Sequence, residues 1–317
     1  FFASSKMLGR ASFATALRTA PAQRLPRAVV AGERNVSVKQ LRLRLAAVTS
    51  IQRITKTMKM VAAAKLKGFQ TRMIAARPLG EQINFLVSQI PPPAEEVEKK
   101  EIAHLFVPIT SDRGLCGGVN NAVAKAVRLQ LAEMPDTAEN KIAIIGSKGE
   151  ALLKRMHGEK IVRVIADAYA KPTSFALASE IAEELLTCSK TDKTVIVYNK
   201  FLSAIAYETM TEEIESPDAM EDRLAQFGEK YEFDDEFTES LHMQDMMQFA
   251  LASKLYSRIL EGATSEVSAR MQAMENATKN CGDMMSKLTV KMNKARQAVI
   301  TQELSEIVSG AACAAEG

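Results

Sequence analysis

Cys116 sits in the run ITSDRGLCGGVNNAV (Ile109–Val123), where an apolar stretch ends in a glycine-rich turn before helix-forming residues. A turn of that kind can present backbone N–H groups to a phosphate at a helix N-terminus. The spacing, however, fits neither G-x-G-x-x-G nor the P-loop pattern, and IIGSKGE (Ile144–Glu150) fits neither as well. A tight structural turn is the better reading. Cys116 has the type of a nucleophile, but His104, His157 and His242 are scattered along the chain and none is placed to activate it. Cys116, Cys188, Cys281 and Cys313 lie far apart with no C-x-x-C, so no zinc site and no disulfide framework is indicated. Unpaired thiols in a reducing compartment follow.

A second constellation is electrostatic. From Ser37 to Gly80 the chain carries Lys39, Arg42, Arg44, Arg53, Lys56, Lys59, Lys65, Lys67, Arg72 and Arg77 and no acid. An unbroken single-sign run repels itself and calls for an acidic partner. Nucleic acid is one such partner, but aromatic residues are not interleaved with the charges. An acidic segment also follows downstream, from Glu212 through EKYEFDDEF. An acidic protein surface is the better match.

These residues need elements to hold them. The chain has 317 residues, 47% hydrophobic but only 5% aromatic, with 16 Met and no Trp. That balance suits helical packing by Met, Leu and Ala. The formal net charge is +3, and no apolar run approaches the ~20 residues of a membrane helix. Residues 1–36 are basic and rich in Ala and Ser, the composition of a mitochondrial presequence or its remnant. Over 37–89, Leu41, Leu45, Val48, Ile51, Ile54, Met58 and Val61 recur at steps of three or four, which predicts an amphipathic helix with those residues on its buried face. Residues 90–99 read as a linker. From 100 to 215, short β-branched runs (AHLFVPITS, KIAIIGS, IVRVIA, TVIVYNKF) alternate with helical stretches, the pattern of a parallel sheet in an α/β domain; SAIAYETMTEEI could add a strand. An acidic connector spans 216–239. From 240 to 317 one long helix is expected, because Pro217 is the last proline.

Two sevenfold series run through that last helix: Val267, Met274, Cys281, Leu288, Ala295 and Met271, Thr278, Met285, Met292, Val299. Largely apolar residues at alternating steps of four and three predict a coiled coil, most simply an antiparallel pairing of the N- and C-terminal helices with the α/β domain inserted between them. Both series lapse at Gln302 and Glu306. The longer C-terminal helix must overhang its partner there, and the polar residues around it call for a surface supplied by another chain.

Four segments in order, IQRITKTMKMVAAAKL (Ile51–Leu66), SDRGLCGG (Ser111–Gly118), SEVSARMQAMENATKN (Ser265–Asn280) and KARQAVITQELSEIVSGAA (Lys294–Ala312), closely resemble the gamma-subunit family of F-type ATP synthases. The resemblance implies a central rotor shaft: an antiparallel coiled coil inside an alpha3beta3 ring, with a Rossmann-like foot resting on the membrane c-ring beside delta and epsilon subunits. It implies a non-catalytic subunit on the matrix side of the mitochondrial inner membrane, peripheral to it, with no cofactor, no metal and no nucleic acid. By motif, Arg296 and Gln297 would engage an acidic catch loop of a beta subunit, supported by Thr301, Glu303 and Glu306. Arg270, Met58, Lys59 and Met60 would lie lower, where the shaft passes acidic lever segments of beta. Tyr231 and Glu232 would approach the c-ring. The tail SGAACAA would turn in an apolar bearing, and Cys313 has no implied role. Two other classes compete: a nucleotide-binding α/β protein with helical arms, and a basic coiled-coil nucleic-acid binder. Neither accounts for the four ordered segments.

Overall fold

The computed structural model describes residues 37–88, 103–134, 139–168, 173–188, 191–216 and 240–315. The presequence-like stretch 1–36, the linker 90–99, and nearly all of the acidic connector, with Tyr231 and Glu232, lie outside the described residues. Helix α1 runs Val38–Ser88, with Pro78 inside it, and the final helix, α5, runs Ser240–Ala315. At 51 and 76 residues both far exceed an ordinary globular helix. Their stability must come from what they pack against.

Between them, β1 (His104–Pro108), α2 (Val119–Glu133), β2 (Lys141–Ile145), α3 (Ser147–His157), β3 (Ile161–Ile165), α4 (Phe175–Cys188), β4 (Lys193–Phe201) and β5 (Tyr207–Glu215) follow in order. The sheet order is β3-β2-β1-β4-β5. The first four strands pair in parallel, and β5 returns antiparallel along β4 from Phe201↔Tyr207 to Lys193↔Glu215. The apolar runs are continuous because the central strands are covered on both faces. Phe106, Ile142, Ile144, Val195 and Val197 face Val123 and Val127 of α2 and Leu153 of α3. Their alternates, among them Leu105, Val107, Ile145 and Ile196, face Ile181 and Leu185 of α4 and Met247, Leu251 and Leu255 of α5. The α/β unit is therefore not closed by residues 100–215 alone. The beginning of α5 is one of its covering layers.

The two long helices pair antiparallel, with cross-contacts Thr49–Met285, Thr55–Thr278 and Lys59–Glu275. On α5 the expected series holds as far as Ala295: Val267 and Met274 are buried, and Cys281, Met285, Leu288, Met292 and Ala295 are half-buried, whereas Val299, its last expected member, is 44% exposed. On α1 the expected seam holds at Leu41, Leu45, Val48 and Met58 and fails at the other three positions. Ile51, Ile54 and Val61 are about half exposed, at 49%, 58% and 51%. The positions turned inward include Leu41, Leu45, Val48, Thr49, Gln52, Thr55, Met58, Lys59, Ala62, Leu66, Phe69, Met73 and Ala76. Steps of seven from Leu41 and from Leu45 generate most of that set, so the heptad is real but is held midway by polar and small side chains. The bulkier isoleucines and Val61 are left facing outward. Gly80 lies at a close approach of the two helices: a Cβ there would sit 2.8 Å from Ser257 Cβ.

Candidate functional site: a helix enclosed at one end and bare at the other

One helix experiences two opposite environments. From Ala250 to Ser268, α5 is buried at every position except half-buried Tyr256, enclosed by α1, α4 and the sheet. From Arg296 to Ala315 every residue is exposed. The antiparallel register explains the change, because α1 starts at Val38 and the last seam position on α5 is Ala295. Beyond it α5 has no partner among the described residues.

Arg296, Gln297, Thr301, Glu303 and Glu306 all fall on this bare segment. Arg296 and Glu303, seven residues apart, share a face, while Gln297 and Thr301 lie one turn apart on another. The Thr301 hydroxyl donates to the Gln297 carbonyl at 2.9 Å, and Gln302 Nε2 donates to Glu306 Oε1 at 3.0 Å. The guanidinium of Arg296 makes no ion pair among the described residues and is free to meet a carboxylate in the bidentate geometry that suits it. Motif matching missed a second feature of the same segment. Val299, Ile300, Leu304, Ile307 and Val308 are 44–68% exposed, a concentration of apolar surface that a free helix in water does not favour. The signal was present in the sequence as apolar residues persisting after the heptads end.

The lower group is about 39 Å away along the helix axis at ~1.5 Å per residue. There the structure separates what the motif put together. Met60 points outward, whereas Met58 and Lys59 turn toward the seam, and Lys59 Nζ pairs with Glu275 Oε1 at 3.3 Å. Hydrogen bonding from Lys59 holds the Glu275 carboxyl below its ordinary range. Arg270 is turned inward, paired with Glu266 and donating to the Gly114 carbonyl at 3.4 Å. Burial holds the Glu266 carboxyl above its ordinary range, against the downward pull of the Arg270 guanidinium.

Gly114 belongs to the glycine-rich turn, which is a packing device. Asn120 Nδ2 donates to Ser111 Oγ at 2.8 Å and lies 3.4 Å from Cys116 Sγ, and its Oδ1 accepts the Ser111 N–H at 3.0 Å. Asp112 Oδ1 accepts the Ser147 N–H at 2.9 Å, joining the turn to α3. Gly117, with φ +67, brings the backbone against Ala273 of α5. Cys116 is buried in this network, and all four cysteines are free. A cleft of about 120 Å³ lies alongside, lined by charges of both signs including Lys65, Asp112, Asp167 and Arg270. Among the described residues no cluster of His, Cys, Asp and Glu could hold a metal, and no helix is long and apolar enough to cross a membrane.

A family model described as ATP synthase matches residues 37–313. The mitochondrial ATP synthase subunit gamma of Drosophila melanogaster is 41% identical over 281 residues, which cover 87% of this chain and 90% of that one. The chain belongs to the ATP synthase gamma-subunit family. The mitochondrial ATP synthase F(1) complex subunit gamma of Rattus norvegicus is 37% identical over 278 residues, covering 87% of this gamma chain and 98% of its relative. Among solved structures, the central stalk and c-ring of Tetrahymena thermophila mitochondrial ATP synthase gives a TM-score of 0.57 at 28% identity, covering 71% of this chain and 99% of that one. A chain of Euglena gracilis mitochondrial ATP synthase gives 0.69 at 22% identity, covering 87% and 94%, a likeness of fold. The gamma family thus accounts for the long helix pair and for the sheet between its two halves.

Proposed function

We propose that this chain is the central rotor shaft of the F1 sector of a proton-translocating ATP synthase on the matrix side of the mitochondrial inner membrane. It couples rotation of the c-ring to sequential change at the catalytic beta subunits and holds no catalytic groups itself. Its partners are the alpha3beta3 ring around the upper helix and the delta and epsilon subunits and c-ring at the foot. The observation that carries this reading is the contrast within α5, enclosed at Ala250–Ser268 and bare from Arg296 onward. A helix bearing Ile300, Leu304 and Ile307 in the open is built to be surrounded by other chains.

The mechanism is one of differential contact. A ligand or partner shifts an equilibrium only by as much as its interaction differs between the states. A single projecting helix has no rotational symmetry, so the beta subunits meet different faces of it at any instant. The one facing Arg296 and Gln297 receives a cation and an amide, with Ile300 and Ile307 beside Arg296, while another meets Gln302 or Glu306 on the opposite side. Turning the shaft passes each set of contacts to the next subunit in order, and nucleotide affinity follows. Arg296 and Gln297 are the groups we assign to a catch contact with beta carboxylates, with Thr301, Glu303 and Glu306 around them. Lys59, Met58, Met60 and Arg270 form a lower collar, within which Met60 is the most available side chain and Arg270 acts through Glu266 and the turn. Tyr231 and Glu232 remain assigned to the c-ring side.

The test is a native gel of detergent-solubilised mitochondria from the source, stained for ATP hydrolysis, with this chain followed by mass spectrometry. Comigration with alpha and beta subunits in the active band is the expected result. Recovery only outside every ATPase-active band would overturn the reading.

A further inference from the structure

Among the buried polar residues of α5, five are bonded across to the sheet: Lys254, Arg258, Glu261, Ser265 and Ser268. Their spacing is four, three, four, three, which places them in one stripe along the helix. Each is bonded to the β4–β5 hairpin. Lys254 Nζ donates to the Glu213 carbonyl at 3.4 Å. Arg258 grips Glu212 through Nε at 2.9 Å and Nη2 at 2.7 Å, with its guanidinium carbon 5.0 Å from the Tyr198 ring centroid. Ser265 donates to the Asn199 carbonyl at 2.9 Å and Ser268 to the Ala204 carbonyl at 2.7 Å.

The middle rung ties three elements together. Glu261 Oε2 accepts the Phe201 N–H at 2.8 Å, Glu261 Oε1 accepts from Arg77 Nε of α1 at 2.8 Å, and Arg77 Nη2 donates to the Phe201 carbonyl at 3.2 Å. Both backbone groups of the last residue of β4 are thereby clamped between the two long helices. Glu261 is 1% exposed, and a carboxylate so enclosed is tolerated only when paired and hydrogen-bonded.

We infer that this polar stripe, centred on the Arg77–Glu261–Phe201 clamp, is the torque-bearing joint that fixes the rotational register of the foot on the shaft. An interface of apolar side chains alone resists separation but discriminates weakly between registers related by a small slip. Directional bonds at five successive levels are satisfied in one register only, and any slip leaves buried charges unpaired. The inference rests on the rotor reading and adds the residues through which turning force passes from the sheet into both helices. Arg77, Glu261, Arg258 and Ser265 are positioning residues that touch neither nucleotide nor proton path.

The experiment uses the whole synthase in membrane vesicles carrying wild-type chain, E261Q or the double variant S265A/S268A. ATP hydrolysis and ATP-driven proton pumping are read on the same preparation. E261Q keeps the side-chain shape and leaves a solvent-reached Arg77, while the serine pair removes two rungs without stranding a charge. Both variants are expected to hydrolyse ATP near the wild-type rate while the pumping-to-hydrolysis ratio falls about fivefold, the change in a locked-to-slipped equilibrium expected for loss of such contacts. An unchanged ratio in the assembled variants, or an equal fall in both activities, overturns the joint. Where E261Q does not assemble, the serine variant decides by the same criteria. Failure of the wild-type chain itself to enter an active synthase would overturn the rotor reading instead.

Discussion

Thr55 of α1 and Thr278 of α5 meet across the helix pair with their hydroxyl oxygens 2.9 Å apart. Thr55 also donates to the Gln52 carbonyl at 3.0 Å, and Thr278 lies 2.7 Å from the Met274 carbonyl. A polar contact at a heptad position costs little only while both hydroxyls are present. Replacing one by Val leaves the other without its cross-helix partner, a loss of about 1 kcal/mol for each single variant. Replacing both restores a dry, β-branched pair, so T55V/T278V should be at least as stable as wild type. Chemical denaturation of the four chains, read as a double-mutant cycle, checks this; additive losses would show that the hydroxyls are not coupled.

Gly80 offers a sharper packing test. In an open helix Gly→Ala gains about 1 kcal/mol. Here the new Cβ would lie 2.8 Å from Ser257 Cβ and 2.9 Å from its Oγ, too close for either helix to ignore. Overpacking should win, giving a net loss of about 1–3 kcal/mol for G80A. Adding Ser257→Gly removes the obstructing atoms and should recover much of the loss despite its own helix cost. Thermal unfolding of G80A and G80A/S257G decides it.

Lys254 gives the chain a pH signature. Burial pushes its ammonium down to about 8 from an unfolded value near 10.5, against the upward pull of Glu212. Below pH ~8 both folded and unfolded chains hold the proton and the burial penalty is fully present. Between that point and about 10.5 the unfolded chain binds more protons, so this group makes stability rise with pH. The penalty relieved is up to about 3 kcal/mol. Lys254→Met should therefore raise stability most at pH 7, with the advantage over wild type shrinking as pH approaches 10. Denaturant midpoints of the two chains across that range measure the difference, and a pH-independent difference would contradict the assignment.

How much of this could be read from sequence depended on what each face packs against. The α5 seam was legible because Val267, Met274 and Leu288 are apolar and meet a helix. The α1 seam was legible only in part: Leu41, Leu45, Val48 and Met58 turn inward as expected, but Gln52, Thr55 and Ala62 do so too, while Ile51, Ile54 and Val61 face away. The parallel order was legible from continuous apolar strands. The use of α5 as a layer on the sheet was not, since Met247, Leu251 and Leu255 read the same whether they meet a strand or a helix. The joint was missed for a related reason. Lys254, Arg258 and Glu261 resemble a solvated stripe until the strand edge that covers them is known. Their regular four-and-three spacing along one face of the helix was the available signal.

The bare end of α5 separates stability from coupling. Arg296 is exposed and lies beyond the last seam residue, so R296A should leave the unfolding of the isolated chain within about 0.5 kcal/mol of wild type. In an assembled synthase the same change removes the charge from a contact that we assign to beta carboxylates, where a hydrogen bond to an ionised group is worth enough to shift an equilibrium about tenfold. Steady-state ATP hydrolysis should fall on that scale in R296A, and less in R296K, which keeps the charge but loses the two-pronged geometry. Gln297→Ala, with no charge to lose, should fall between wild type and R296A. Hydrolysis rates at matched subunit content, together with denaturation of each isolated chain, separate the cases. A variant as stable and as active as wild type would show that Arg296 makes no contact with a carboxylate on which the rate depends, and the catch contact would pass to Gln297, Thr301 or the apolar side chains of Ile300 and Ile307.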